Sequence, residues 1–202
     1  MNAQLPVHET TPGWLSAEMP PGYENRLAEM RRLSDELRVM DRVGRLLWQT
    51  GDELIEAVQD AFIALGCETE RIPRPVVRSV AARLDGRRRL LVHASGSSGI
   101  VQKKDAELAH VFQLLHEQAE GGDRVVLVTN CEPGLRPAER PESVGPEALA
   151  LLRRLGANVL PGPTLFALWT LSLQDKPRAH TFAERLHEHE GGVFVLPMYA
   201  ER

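Results

Sequence analysis

Residues Ala81 to Gly96 read AARLDGRRRLLVHASG, and the fold turns on how this stretch is taken. Asp85-Gly86 sits between two apolar runs. This is a strong short-range signal for a tight hairpin, because aspartate and glycine tolerate the backbone angles that such turns need. The flanking runs, Val76 to Leu84 and Arg89 to Ala94, therefore read as paired antiparallel strands, with a third β-type run at Cys67 to Ile72 before them. Ser95-Gly96-Ser97-Ser98-Gly99 reads as a flexible connection. It lacks the Lys-Ser/Thr ending of a phosphate loop and the spacing of a dinucleotide fingerprint.

On either side of the hairpin the apolar period changes from two to three and four. A helix starts near Thr50-Gly51-Asp52, where Thr50 or Asp52 can cap it. It carries Leu54, Ile55, Val58, Phe62 and Leu65 on one face and ends at Gly66. Beyond the glycine-rich loop a helix from Lys104 to Glu120 turns Leu108, Val111, Phe112 and Leu115 inward, and Gly121-Gly122 closes it. Val125 to Thr129 is a continuous apolar run, the pattern of a central strand buried on both faces. After a Pro-rich loop from Glu132 to Pro146, helices at Glu147–Leu155, Thr164–Ser172 and Arg178–His189 alternate with strands at Asn158–Leu160 and Val193–Leu196. The expected fold is α/β, with a mixed central sheet flanked by helices.

The N-terminal region differs. Residues 1–22 are rich in Pro, Thr and Glu without a period, which predicts a flexible tail. From Tyr23 the apolar positions Leu27, Met30, Leu33, Leu37, Met40 and Leu47 recur at helical spacing, with Arg26, Glu29, Arg31, Arg32, Asp35, Glu36 and Arg38 on the other faces. Residues 23–47 are thus expected to form a long amphipathic helix. It serves either a coiled-coil dimer, with Leu27, Met30, Leu33, Leu37 and Met40 as the oligomerisation positions, or docking on its own domain. Residues 48–202 are expected to form the α/β domain.

Composition excludes several classes. Lys plus Arg number 24 against 28 Asp plus Glu, a net charge of −4, so the surface as a whole does not attract nucleic acid. Of the basic residues 21 are arginine and 3 lysine, a bias that codon usage in a GC-rich genome produces without any phosphate recognition. Cys67 and Cys131 lie far apart with no CxxC or Cys/His cluster, against a disulfide scaffold and a structural zinc site. No apolar run approaches the roughly 20 residues of a membrane helix, and the start of the chain lacks a signal-peptide pattern. A cytoplasmic protein without membrane partners is expected.

The order helix, strand, hairpin, glycine-rich loop, helix, buried strand, helix, strand, helix resembles the restriction-endonuclease-like, or PD-(D/E)XK, nuclease superfamily over roughly residues 45 to 197. Four stretches carry the resemblance: Leu46 to Leu54, Ala81 to Gly96, Val125 to Asn130, and Pro163 to Leu168. Active members hold Mg²⁺ with an Asp on the first hairpin strand and a second acid on the next, followed two residues later by a Lys that helps activate water. Hard Mg²⁺ takes oxygen ligands, and residues two apart on a strand share a face, so both type and spacing matter. Here the resemblance puts Ser79 in the stretch for the first acid, His93 at the second and Ser95 at the lysine. Glu53 matches an acid that some members bring from the first core helix. With the signature residues replaced, the resemblance implies a kept fold and lost hydrolysis, with no metal or cofactor.

Seven arginines fall within nineteen residues from Arg71 to Arg89: Arg71, Arg74, Arg78, Arg83, Arg87, Arg88 and Arg89. With Lys103 and Lys104 they form a candidate partner or phosphate-binding surface, or else a solvated set of strand edges and turns. No Phe, Tyr or Trp lies between Phe62 and Phe112, against base stacking. His187-Glu188-His189 on a helix does not bring both rings to one face, so it reads as a polar helix end. The expected function is that of a non-catalytic, self-associating protein-interaction or scaffolding module. The alternatives are a metal-dependent nuclease with a rearranged site, using Glu53, His93 and Asp105 or Glu107, and a sequence-independent nucleic-acid binder working through Arg71 to Arg89.

Overall fold

β1 (Glu68–Ile72), β2 (Ser79–Arg83) and β3 (Arg89–Ala94) form an antiparallel meander with Ser79 opposite His93 and Arg83 opposite Arg89. The structure is a computed structural model that describes residues 18–73 and 76–196. The Asp85-Gly86 turn closes as the sequence predicts: the Leu84 amide donates to the Arg88 carbonyl at 3.0 Å, and Asp85 Oδ1 accepts from the Arg87 and Arg88 amides at 2.8 Å each. These bonds hold the Asp85 carboxyl down at about 2.

Parallel pairing continues the sheet through β4 (Arg124–Thr129), β5 (Asn158–Pro161) and β6 (Gly192–Val193), in the spatial order β1 to β6. Because side chains alternate across a strand, the sheet has two apolar faces. Val80, Val92, Val126, Val128 and Leu160 pack with α2 (Gly51–Ala64), α5 (Gly162–Gln174) and α6 (Lys176–Glu188). Leu91, Val125, Leu127 and Val159 pack with α3 (Ala106–Gln113) and α4 (Pro146–Arg154). Residues 125–128 are all fully buried, which accounts for their unbroken apolar run. The chain is α/β, with a mixed sheet flanked by helices.

Four local expectations need correction, the first being the final strand, which covers Gly192–Val193 rather than Val193–Leu196. The third helix stops at Gln113 and widens into a π-turn over Leu114–Gln118, with the Ala119 amide reaching back to the Leu114 carbonyl at 2.9 Å. The wider turn rotates Leu114 inward, while Phe112 is left 49% exposed. At the start of α2, Thr50 makes no side-chain cap; the Gly51 amide instead donates to the Ser95 carbonyl at 3.1 Å. Residues 95–99 are not a loose connection, because Ser95 is buried and the Ser98 carbonyl accepts from the Glu132 amide at 2.7 Å.

α1 (Tyr23–Gly44) is one helix of 22 residues, about 33 Å long at the α-helical rise, followed by a 3-10 turn over Arg45–Leu47. The chain divides into two compact units, residues 1–40 and 41–202. In the second unit Val43 and Leu46 are fully buried, and Arg42 pairs with Asp60 at 2.7 Å. In the first, Arg32 bridges Glu29 and Glu36, and Arg38 pairs with Asp35 at 3.2 Å. Of the expected tail, residues 1–17 lie outside the described residues. No helix among the described residues is long and apolar enough to cross a membrane.

Gly162 opens α5 against the Leu46 carbonyl, so closely that a Cβ at this position does not fit. Gly162→Ala is therefore expected to cost about 1–3 kcal/mol, as overpacking against backbone does. Chemical denaturation checks it: the midpoint falls with the slope unchanged, whereas an unaltered midpoint contradicts the close approach.

Candidate functional site

His93 and Ser95 lie two apart at the carboxyl end of β3 and share the face that α3 covers. α3 presents Glu107 and His110, three residues apart and therefore on one side of the helix. The two spacings meet. His93 Nε2 shares a hydrogen bond with His110 Nδ1 at 3.2 Å, and Ser95 Oγ donates to Glu107 Oε1 at 3.1 Å. Glu107 Oε1 also accepts the Gly96 amide at 3.2 Å. Across the ladder, Ser79 Oγ bonds His93 Nδ1 at 3.2 Å. The result is a polar seam within the hydrophobic layer between β2, β3 and α3, with Ser79, His93, Ser95 and Glu107 all buried.

The electrostatics fix the state of His93. Burial, then the His110 ring and the Arg78 guanidinium, push its imidazole down to about 3, against the one favourable contact with the Arg78 backbone. A neutral imidazole has one N–H and one lone pair, so it can donate to one neighbour and accept from the other. The two histidine rings meet edge to face, 4.8 Å between centroids at 71°.

Arg78 stands beside this seam in an unusual backbone state, φ +60°, in the left-handed region that non-glycine residues seldom occupy. Its carbonyl accepts the Ala94 amide at 3.0 Å, and its guanidinium lies over Gly96, where a Cβ would have to push the arginine side chain aside. The Arg78 Nε is buried without a hydrogen-bond partner among the described residues.

The sequence-derived site residues thus separate. Ser79, His93 and Ser95 come together, and Glu107 and His110 complete the group. Glu53 does not join them: it is exposed in the first turn of α2. Asp105 is occupied in accepting the Gln102 amide at 2.7 Å. Among the described residues no three His, Cys, Asp or Glu side chains gather as a metal ligand set. His110 was not distinguished by sequence, although its spacing from Glu107 carried the signal.

The arginine cluster also divides. Arg88 pairs with Asp85 at 2.7 Å and with Glu184 at 2.8 Å. Arg89 pairs with the buried Asp123 at 2.6 Å and reaches Glu120 at 3.5 Å. Arg71 Nε donates to Gln59 Oε1 at 3.1 Å. Arg83 and Arg87 are exposed, as is Lys104, while Lys103 lies 3.8 Å from Glu147. Arg74 lies outside the described residues. Carboxylates thus stand against three of the charges assigned to the candidate surface, closely at Arg88 and Arg89 and at longer range at Lys103. In the His187-Glu188-His189 step the rings serve separate partners, His187 Nε2 donating to the Gly122 carbonyl at 2.6 Å and His189 Nδ1 bonding Asn158 Oδ1 at 2.9 Å.

Compared with known proteins, the chain matches no family model, no curated protein and no solved structure.

The low pKa of His93 has a defined effect on stability. The unfolded chain protonates His93 near pH 6.5, the folded chain only near 3, so the unfolded state binds more protons between those values and stability falls as pH drops through the window. The contribution of this one ring is up to ~1.4 kcal/mol per pH unit. Denaturation of wild type and His93→Asn from pH 7 to 4 checks it. The expected difference between them narrows as pH falls, and a pH-independent difference contradicts the buried neutral ring.

Proposed function

We propose that this protein is a non-catalytic module of the restriction-endonuclease-like type that self-associates through α1 and serves as a scaffold. The element order α2, β1, β2, β3, α3, β4, with an antiparallel meander leading into a parallel strand, supports the fold-family part of this reading. The side chains at the motif positions support the loss of hydrolysis. His93 stands where the resemblance calls for an acid and Ser95 where it calls for a lysine, and their polar atoms are spent on Ser79, His110 and Glu107. A water-activating centre needs polar groups turned toward substrate, and these face one another under burial.

The observation that carries the interaction role is the bare apolar stripe of α1. Met30, Leu33 and Met40 are each 45% exposed and Leu37 60%, although the helix is 22 residues long and only Val43 is buried in it. Water-facing leucines and methionines in line along a helix mark a surface for another helix. The charges beside the stripe favour a second copy of the same chain. Residues 23–33 hold three arginines and two glutamates, residues 34–44 two arginines and three acids. An antiparallel pair sets the more basic half of each helix against the more acidic half of the other.

Leu33→Asp with Leu37→Asp is the direct test, since both side chains are exposed. Light scattering on the wild type should give twice the chain mass and on the double variant a single chain mass, with the same circular dichroism. A wild type that is monomeric at every concentration, or a double variant that keeps the wild-type mass, overturns the proposal.

A further inference from the structure

A cleft separate from the His93 seam opens in the parallel half of the sheet. At Thr129 the chain leaves β4 for α4, which packs on one face of the sheet; at Pro161 it leaves β5 directly into α5, which packs on the other. When neighbouring parallel strands send their connections to opposite faces, a crevice remains at their carboxyl ends, and open α/β sheets bind small molecules there. Here the crevice runs past α4 to β6 and encloses about 550 Å³, within the span of about 300–1,000 Å³ typical of ligand sites. Val144, Leu149 and Val195 are among its apolar walls.

The polar groups in the walls are mostly cationic or donors. Arg140 and Arg153 both line the cleft, and the one acid of the lining, Glu142, is exposed. Arg140 is held by neutral acceptors alone: the carbonyls of Leu47, Leu135 and Pro133, and Asn130 Oδ1. Among the described residues no carboxylate pairs with Arg140 or Arg153, in contrast to Arg88 and Arg89. Desolvation accordingly lowers the Arg140 pKa. Ser143 Oγ accepts the Thr129 hydroxyl at 2.8 Å, which leaves its own proton to donate. A guanidinium fixed by the fold and left without a counter-charge is pre-organised for an anion, because little ordering remains when one binds.

We infer that this cleft is a binding site for a small organic anion, with an apolar body against Val144 and Leu149 and a carboxylate or phosphate head whose charge Arg140 and Arg153 meet. The site is independent of self-association through α1. Its function is recognition, and the walls bring no nucleophile and base together.

Titration of the isotopically labelled full chain with benzoate, phenyl phosphate and the neutral benzamide tests it, followed by the amide resonances of Ser143, Thr164 and Val193. At least one anion should shift these resonances saturably, and benzamide should bind roughly tenfold more weakly or worse, the equivalent of one charge-assisted contact. The tighter of the two anions names the head group. Arg153→Gln, at an exposed position, should weaken the anion by a similar factor while leaving the other resonances in place. No saturable shift with either anion, equal binding of benzamide, or unchanged affinity in Arg153→Gln overturns the assignment.

Discussion

His93 is fully buried in a strand between two other strands, and a buried ring nitrogen without a partner costs about 1–3 kcal/mol. Both of its nitrogens are matched, one by Ser79 across the hairpin and one by His110 from the covering helix. That requirement fixes the register of β2 on β3 and the placement of α3 over them. It extends one step further along the strand, where Glu107 takes the Ser95 hydroxyl and the Gly96 amide. Ser95 in turn offers its carbonyl to the Gly51 amide at the start of α2. A single polar seam thus ties the hairpin to helices on both faces of the sheet.

The seam also bears on chemistry. Polar groups satisfied by one another in a low-dielectric interior rigidify a core and specify its arrangement. The same groups are then unavailable for a hydrated Mg²⁺ ion or a phosphodiester. Hydrogen bonding within the seam and reactivity toward a substrate compete for the same lone pairs, and the burial of Ser79, His93 and Ser95 favours the first. The interaction roles proposed for the molecule rest instead on the exposed stripe of α1 and on the arginines of the cleft beside β6, which have no carboxylate partner among the described residues.

Much of the architecture was legible in the sequence because it depends on local rules. Asp85-Gly86 specified the hairpin, the unbroken run at Val125–Val128 the central strand, and the three-four spacing from Tyr23 to Met40 the long helix. The π-turn at Leu114 was not legible, since a one-residue change of helical phase leaves no mark on an apolar pattern that tolerates either face. The site was legible only in part. The resemblance put Ser79, His93 and Ser95 at the positions of one motif, but their partners Glu107 and His110 come from α3, and which face of α3 meets the strand is decided by tertiary packing. The same limit applies to the arginines: Asp123 and Glu184, which neutralise Arg89 and Arg88, lie 34 and 96 positions away. The charge run from Arg71 to Arg89 therefore looks more available in sequence than it is in the fold.

The most direct test of the seam as a closed, self-satisfied unit is titration of the protein with Mn²⁺ while the ring protons of His93 and His110 are observed by NMR. A paramagnetic ion held at the motif positions would broaden those resonances at low metal concentration. Both should broaden no more than rings elsewhere in the chain, such as that of His180. Saturable broadening of His93 and His110 that Glu107→Gln removes would contradict it, and would show a metal centre where the structure shows internal hydrogen bonds.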